Sequence, residues 1–216
     1  MPPRLGLIPA PQFFWLHDYD TCRPASTYPP RKPRPVGYTE AVTDIDAREY
    51  VILVDTNDSP IGVAAKIEVH QHPPKLHRAF SVFIFDSAGR MLLQRRASTK
   101  YHFGGLWTNA ACSHPQPGED TQESAVRRLR AEMGIEVLLT ERLSFVYRAE
   151  DPSTGLVEWE FDHVFSGAFD GVPDPDSAEV DEWRWVDTSE LAREVRERPE
   201  RFTPWFLIAL PKIVPQ

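Results

Sequence analysis

Only two cysteines, Cys22 and Cys112, occur in the 216 residues, too few for a disulfide framework. They lie in segments of very different character, so both are expected to be free thiols in a reducing compartment. No apolar run approaches the roughly 20 residues that cross a bilayer; the longest, such as Tyr50 to Val54 and Ala79 to Phe85, are strand-sized. The first thirty residues also lack the continuous apolar core of a secretory signal, which leads to the expectation of a soluble cytoplasmic protein with no membrane partner. Positive charge is scarce too. With 24 Lys and Arg against 32 Asp and Glu, the formal net charge is −8. That excludes a general nucleic-acid surface. A small anionic substrate stays open, because it needs only a local cluster of cations or a bound metal.

A hydrophobic content of 41% and a charged content of 26% suit one globular domain with a substantial core. Residues 1 to 36 hold nine of the 21 prolines, which removes backbone donors and opposes helix and sheet alike. The chain is therefore divided into a proline-rich, irregular N-terminal arm over residues 1–49 and a folded domain over residues 50–216. The aromatic run Phe13-Phe14-Trp15 suggests that the arm packs on the domain. Strands are expected at Tyr50 to Asp55, Ala79 to Phe85 and Met91 to Gln94, with turns at Thr56 to Gly62 and Asp86 to Gly89. Further strands are expected at Ser144 to Ala149, Leu156 to Phe165 and Asp181 to Asp187. Between Asp120 and Met133 the apolar positions Ala125, Val126, Leu129 and Met133 recur at helical spacing, with Asp120 and Glu123 as a capping box and Gly134 as the stop. A second helix is expected after Asp187 and a short one over Pro204 to Leu210.

Two constellations carry candidate chemistry. His70 and His77, with His114 far downstream, could supply imidazoles to a metal, although any one of them could equally be an ordinary histidine. His72, His102 and His163 are read as ordinary. On a strand of period two, Glu158 and Glu160 share one face, with Val157, Trp159 and Phe161 on the other, the expected core side. Two carboxylates so placed repel one another unless a cation lies between them. Three imidazoles and two carboxylates suit six-coordinate Mn²⁺, Mg²⁺ or Zn²⁺. The second constellation is Thr108-Asn109-Ala110-Ala111-Cys112-Ser113-His114-Pro115. On an extended segment Cys112 and His114 could point into one pocket, whereas a lone cysteine is otherwise commonly a small core residue. Arg128 and Glu132, four apart on the helix, form either a simple ion pair or a phosphate-binding arginine beside a Mg²⁺-binding carboxylate.

Together these residues resemble the type 1 isopentenyl-diphosphate isomerases, a branch of the Nudix superfamily. The resemblance runs from about Tyr50 to Leu210. It rests on Lys66, His70 and His77, the string Arg95-Arg96-Ala97-Ser98-Thr99-Lys100, Leu106 through Cys112 to His114-Pro115, Arg128 and Glu132, Tyr147-Arg148-Ala149, Glu158 and Glu160, and Phe202-Thr203-Pro204-Trp205. The superfamily box is present but eroded. Counted back from Gly134, it reads Glu132, Ala131, Arg128, Arg127 and Glu119, with Ser113 where the glycine belongs. Two of its metal-holding carboxylates are replaced, which disfavours hydrolysis of a diphosphate.

The resemblance implies an α/β (α+β) fold, a Nudix-type mixed β-sheet sandwiched by helices. It also implies one divalent metal on His70, His77, His114, Glu158 and Glu160, and a second ion, Mg²⁺, between Glu132 and the substrate diphosphate, helped by the Cys112 carbonyl. Lys66, Arg96, Lys100 and Arg128 would hold the diphosphate of a small prenyl substrate, and Trp205 would cover its hydrocarbon end. Cys112 and Glu160 would move the protons, with Tyr147 hydrogen-bonded to the glutamate. A monomer or homodimer is expected. The alternatives are a Nudix hydrolase of another class and a non-catalytic, metal-binding relative that serves as a regulator.

Overall fold

The computed structural model describes residues 49–214; the proline-rich arm, its aromatic run and Cys22 lie outside the described residues. Among the described residues, nine strands form one mixed sheet: β1 (Tyr50–Val54), β2 (Pro60–Ala65), β3 (His77–Phe85), β4 (Met91–Arg96), β5 (Trp107–Thr108), β6 (Ala111–Ser113), β7 (Thr140–Glu150), β8 (Val157–Ala168) and β9 (Val180–Val186). Among the described residues the helices are α1 (Lys66–His70), α2 (Thr121–Met133), α3 (Thr188–Glu197) and α4 (Pro204–Ile213), with a 3₁₀ turn at Pro199–Arg201 before α4. No helix among the described residues is long and apolar enough to cross a membrane.

The core strand is β3, whose sequence HRAFSVFIF is buried at seven of its nine positions. Such a run, apolar on both faces, needs cover on both sides. Phe80, Val82 and Ile84 pack with Ala125, Leu129 and Met133 of α2. Phe83 packs with Phe206 and Ala209 of α4. Along its edges β3 pairs antiparallel with β1 and β6, and parallel with β8 over the whole stretch from His77↔Glu160 to Phe85↔Ala168. β7 closes the far side of β8, and β9 pairs with β4.

The helix α2 forms where its sequence signals lie. The Asp120 carboxylate accepts the Glu123 N–H at 3.0 Å, satisfying an otherwise orphaned donor of the first turn. Gly134 ends the helix at φ 69°, a left-handed conformation that favours glycine. A Cβ there would also stand 2.8 Å from the Asp174 carbonyl oxygen.

Two local expectations are corrected, and one short helix is added that the sequence did not announce. The segment read as a turn to Gly62 supplies the start of β2 at Pro60, because Pro60 to Ala65 find antiparallel partners in β1. The short α1 carries Lys66 and His70 one turn apart, an element too brief to show a period in sequence. On β8, Trp159 and Phe161 are only partly buried, against Ile52, Val54 and Leu76, whereas Glu158 and Glu160 are 5% and 6% exposed. The carboxylate face is thus the more deeply buried of the two.

Candidate active site

A cavity of about 330 Å³ opens above the β3–β8 seam. Of the residues singled out in the sequence, all but His77 and Glu132 line it. His77 is fully buried behind the other histidines, and Glu132 is 1% exposed beneath Arg128. The site divides into a ring of nitrogen and oxygen donors, a cationic seat and a thiol facing an aromatic wall.

The ring comes from four elements. His70 ends α1, His77 begins β3, His114 follows β6, and Glu158 and Glu160 lie on β8. One donor atom from each of the five lies within 4.8 Å of the others. That spacing matches octahedral sites with bonds near 2.1–2.2 Å, whose opposite donors stand about 4.3 Å apart. His70 Nδ1 lies 2.7 Å from the Lys66 carbonyl oxygen and His77 Nδ1 2.8 Å from that of Lys75. Donating these back N–H groups to the main chain turns both Nε2 atoms inward, the arrangement that orients histidine ligands. His70 Nε2 is 3.0 Å from Glu158 Oε2, and His114 Nε2 is 2.8 Å from Glu160 Oε1. The residues therefore fit a divalent cation in donor type, spacing and orientation.

Burial and close neighbouring charges set the electrostatics of the cluster. Burial disfavours His70's charged form, but Glu158 outweighs it and raises its pKa to about 9. Burial depresses His114 to about 4, against the pull of Glu160. Burial also opposes ionisation of Glu158, yet His70 and His102 hold it well below the ordinary carboxylate range. One position further along this strand face, Asp162 is pushed well above that range by burial and by the Glu160 charge. Three carboxylates in a row on one buried face cannot all ionise without a nearby positive charge.

The Tyr147 hydroxyl donates to Glu160 Oε2 at 2.5 Å, from the position on β7 directly opposite Glu160. Burial and Glu160 raise its pKa well above the usual phenol value, so Tyr147 stays a donor. Cys112 faces the same cavity. Burial pushes its thiol up to about 12 despite Arg96 nearby, so the resting group is the neutral thiol. Arg96 reaches Cys112 Sγ at 3.5 Å and donates to the carbonyls of Phe103 and His102 at 3.2 and 3.0 Å. Its guanidinium also lies 5.4 Å from the centre of the Trp205 ring. Trp205 is held by a 3.2 Å bond from its indole N–H to Asn109 Oδ1.

In the cationic seat, Arg128 Nε donates to Glu132 Oε1 at 2.7 Å, and Gln94 donates to Glu132 Oε2 at 2.8 Å. Lys100 Nζ stands 3.6 Å from Glu132 Oε1. Although burial opposes it, Arg128 and Lys100 hold the Glu132 pKa at about 2. Arg128 Nη2 also donates to Glu179 Oε2 at 2.8 Å, and Lys100 pairs with the same carboxylate. Lys66 borders the cavity, paired with Glu49 at 2.9 Å.

Two residues passed over in the sequence belong here. Glu179 carried no signal, since it lies in a loop with no recognisable period. His102, read as ordinary, is 4% exposed with Nε2 2.6 Å from Glu158 Oε1. Its place in a turn between two strands gave no spacing to follow. His72 is exposed, and His163 bridges Asp58 and Glu141 away from the cavity at 3.0 and 2.7 Å.

The NUDIX domain model matches residues 75–206. The crystal structure of DR0079 from Deinococcus radiodurans superposes with a TM-score of 0.63 at 18% identity, covering 76% of this chain and 98% of that one, which shows the fold. The chain belongs to the Nudix family. Among curated relatives, Isopentenyl-diphosphate Delta-isomerase 2 of Aromatoleum aromaticum is 50% identical over 77% of this chain and 87% of its own length. Isopentenyl-diphosphate Delta-isomerase of Serratia proteamaculans is 51% identical over 74% of this chain and 88% of its own. Within the Nudix family, this chain is a member of the isopentenyl-diphosphate Delta-isomerases.

Proposed function

We propose that the protein converts isopentenyl diphosphate to dimethylallyl diphosphate by moving protons through Cys112 and Glu160, in the cytoplasm. The observation that carries this reading is the meeting, in one cavity, of the thiol, the Tyr147–Glu160 pair and the Lys100–Arg128 seat. The acting unit is the domain that begins at Tyr50.

His70, His77, His114, Glu158 and Glu160 would hold one divalent ion, Mn²⁺, Mg²⁺ or Zn²⁺. Glu132 and the Cys112 carbonyl would meet a Mg²⁺ that arrives with the diphosphate. When bound, these ions neutralise the buried carboxylates and the diphosphate charge and tune the acidity of Glu160. Lys66, Arg96, Lys100 and Arg128 bind the diphosphate, the two arginines through planar forks suited to phosphate oxygens. Glu179 occupies the two cations until substrate replaces it.

The alkene must gain a proton at its terminal carbon, which leaves a tertiary cation, and then lose one from the carbon nearer the diphosphate. Cys112 and Glu160 are the two groups that give and take these protons. Tyr147 holds the Glu160 carboxylate in place by donating to it. Trp205 presents a π face to the cationic intermediate and keeps out water that would quench it.

Incubating the purified protein with isopentenyl diphosphate and Mg²⁺ in D₂O tests the reading. Deuterium should enter the new methyl group and the product should become the acid-labile allylic diphosphate. Release of phosphate or pyrophosphate without isomerisation would favour a hydrolase instead. Against that alternative, Arg128 stands at a box position that a hydrolase fills with a metal-holding carboxylate.

A further inference from the structure

His102 lies outside the five-residue donor group, yet it touches that group at one atom. Its Nε2 is 2.6 Å from Glu158 Oε1, and its Nδ1 is 3.4 Å from Asp151 Oδ2. Neither ring nitrogen has a well-directed hydrogen bond among the described residues, although the ring is 4% exposed. A buried imidazole in this state points to a partner that draws it into line.

The surroundings say which partner. Glu158 has one oxygen turned to His70 and the ring of donors; its other oxygen is the one beside His102. A cation taking the first oxygen leaves the second buried and in need of a donor. Asp151, 3% exposed, is itself immobilised by the N–H of Phe103 at 2.8 Å and by the N–H and hydroxyl of Ser153 at 2.9 and 2.7 Å. It closes the far side of the His102 ring and limits its rotation. Arg96, donating to the His102 and Phe103 carbonyls, fixes the main chain beneath.

We infer that His102 is a positioning residue for the candidate metal centre. With a cation on the inner oxygen of Glu158, the Nε2–H would come into line on the outer oxygen, which stands 2.6 Å from it, and keep the carboxylate facing the ion, with Asp151 as the brace behind the ring. The inference rests on the metal reading given above. His102 acts through Glu158 and is not itself a ligand, since it falls outside the group of donor atoms gathered within 4.8 Å.

The test compares the metal-free parent, His102→Leu, which fills the space without a donor, His102→Gln, which returns a donor near the Nε2 position, and His114→Ala. Apparent Kd for Mn²⁺ is read from the electron paramagnetic resonance of the free ion, and folding of each metal-free protein is checked by circular dichroism. His102→Leu should bind about 10- to 100-fold more weakly, the usual loss when the outer partner of a ligand is removed. His102→Gln should stay within roughly threefold of the parent, which corresponds to one retained hydrogen bond. Parental affinity in His102→Leu, or affinity in His102→Gln as poor as in the leucine variant, overturns the inference. Should the leucine variant not fold, the glutamine variant decides alone, a tenfold loss there being the overturning result. Equal binding by the parent and His114→Ala would instead bring down the metal reading itself, so the two failures are told apart.

Discussion

His77 and Glu160 are register partners across the parallel ladder of β3 and β8, with His77 Nε2 3.5 Å from Glu160 Oε1. Pairing of β3 with β8 therefore sets His77 beside the strand that carries Glu158 and Glu160, while His70 comes from the end of α1 and His114 from just past β6. Pairing on the other side of β8 sets Tyr147 opposite the same glutamate. A carboxylate clasped from both neighbouring strands has little freedom to turn away.

The ring makes a direct prediction about metal. The purified protein should hold close to one divalent ion per chain, and His114→Ala should lose it, as read by elemental analysis after gel filtration. Folding and metal binding are linked, so chelation should lower the melting temperature of the parent and leave that of His114→Ala nearly unchanged.

Cys112→Ala should remove isomerisation almost completely, by about 10²- to 10⁴-fold in kcat, the scale of a lost proton-transfer group. The residue is small and packs at the edge of the core, so the melting temperature should shift by only a few degrees, for a loss of about 1 kcal/mol. Product formation from isopentenyl diphosphate and a thermal scan, made on one preparation, separate the two effects.

Glu179 and Arg128 should act with opposite signs. Glu179→Gln removes the carboxylate that competes for Lys100 and Arg128, and KM for isopentenyl diphosphate should fall roughly threefold to tenfold, the scale of a partly buried ion pair. Arg128→Ala removes a phosphate donor and leaves Glu132 buried beside one fewer cation, so KM should rise. Initial rates over a substrate series decide this; a higher KM in Glu179→Gln would refute the competition.

Asp151 gives a pH dependence. Burial would raise its pKa, but the Phe103 N–H, the Ser153 donors and His102 hold it below the ordinary value of 3.8. A depressed carboxylate contributes stability above its unfolded pKa and loses it as pH falls through the lower folded value. Between pH 5 and 3, denaturant midpoints of the parent should fall more steeply than those of Asp151→Asn, the difference opening below about pH 4.

Much of the frame was legible because local chemistry and tertiary structure agree. Asp120 and Gly134 bound α2 as their side chains require, and the helix after Asp187 begins with that carboxylate accepting the Ser189 and Glu190 N–H groups. β2 was missed because Pro60 and Gly62 are turn-formers in isolation, and only pairing with β1 overrides that tendency. The donor ring was legible through the two-residue spacing of Glu158 and Glu160 and through His70, His77 and His114, which the family resemblance drew into one set. His102 and Glu179 were not, since each reaches the site by the path of a loop.

The parity of β8 reaches beyond the site it builds. Odd positions such as Trp159 and Phe161 face the outer cluster, and even positions Glu158, Glu160 and Asp162 face the interior. A one-residue deletion in the Asp151–Leu156 turn that slipped the strand by one step would exchange the two sets. Two large aromatics would then enter the cavity as the acids left it. Such a slip would reach every β8 side chain of the cavity at once, which no single substitution there does.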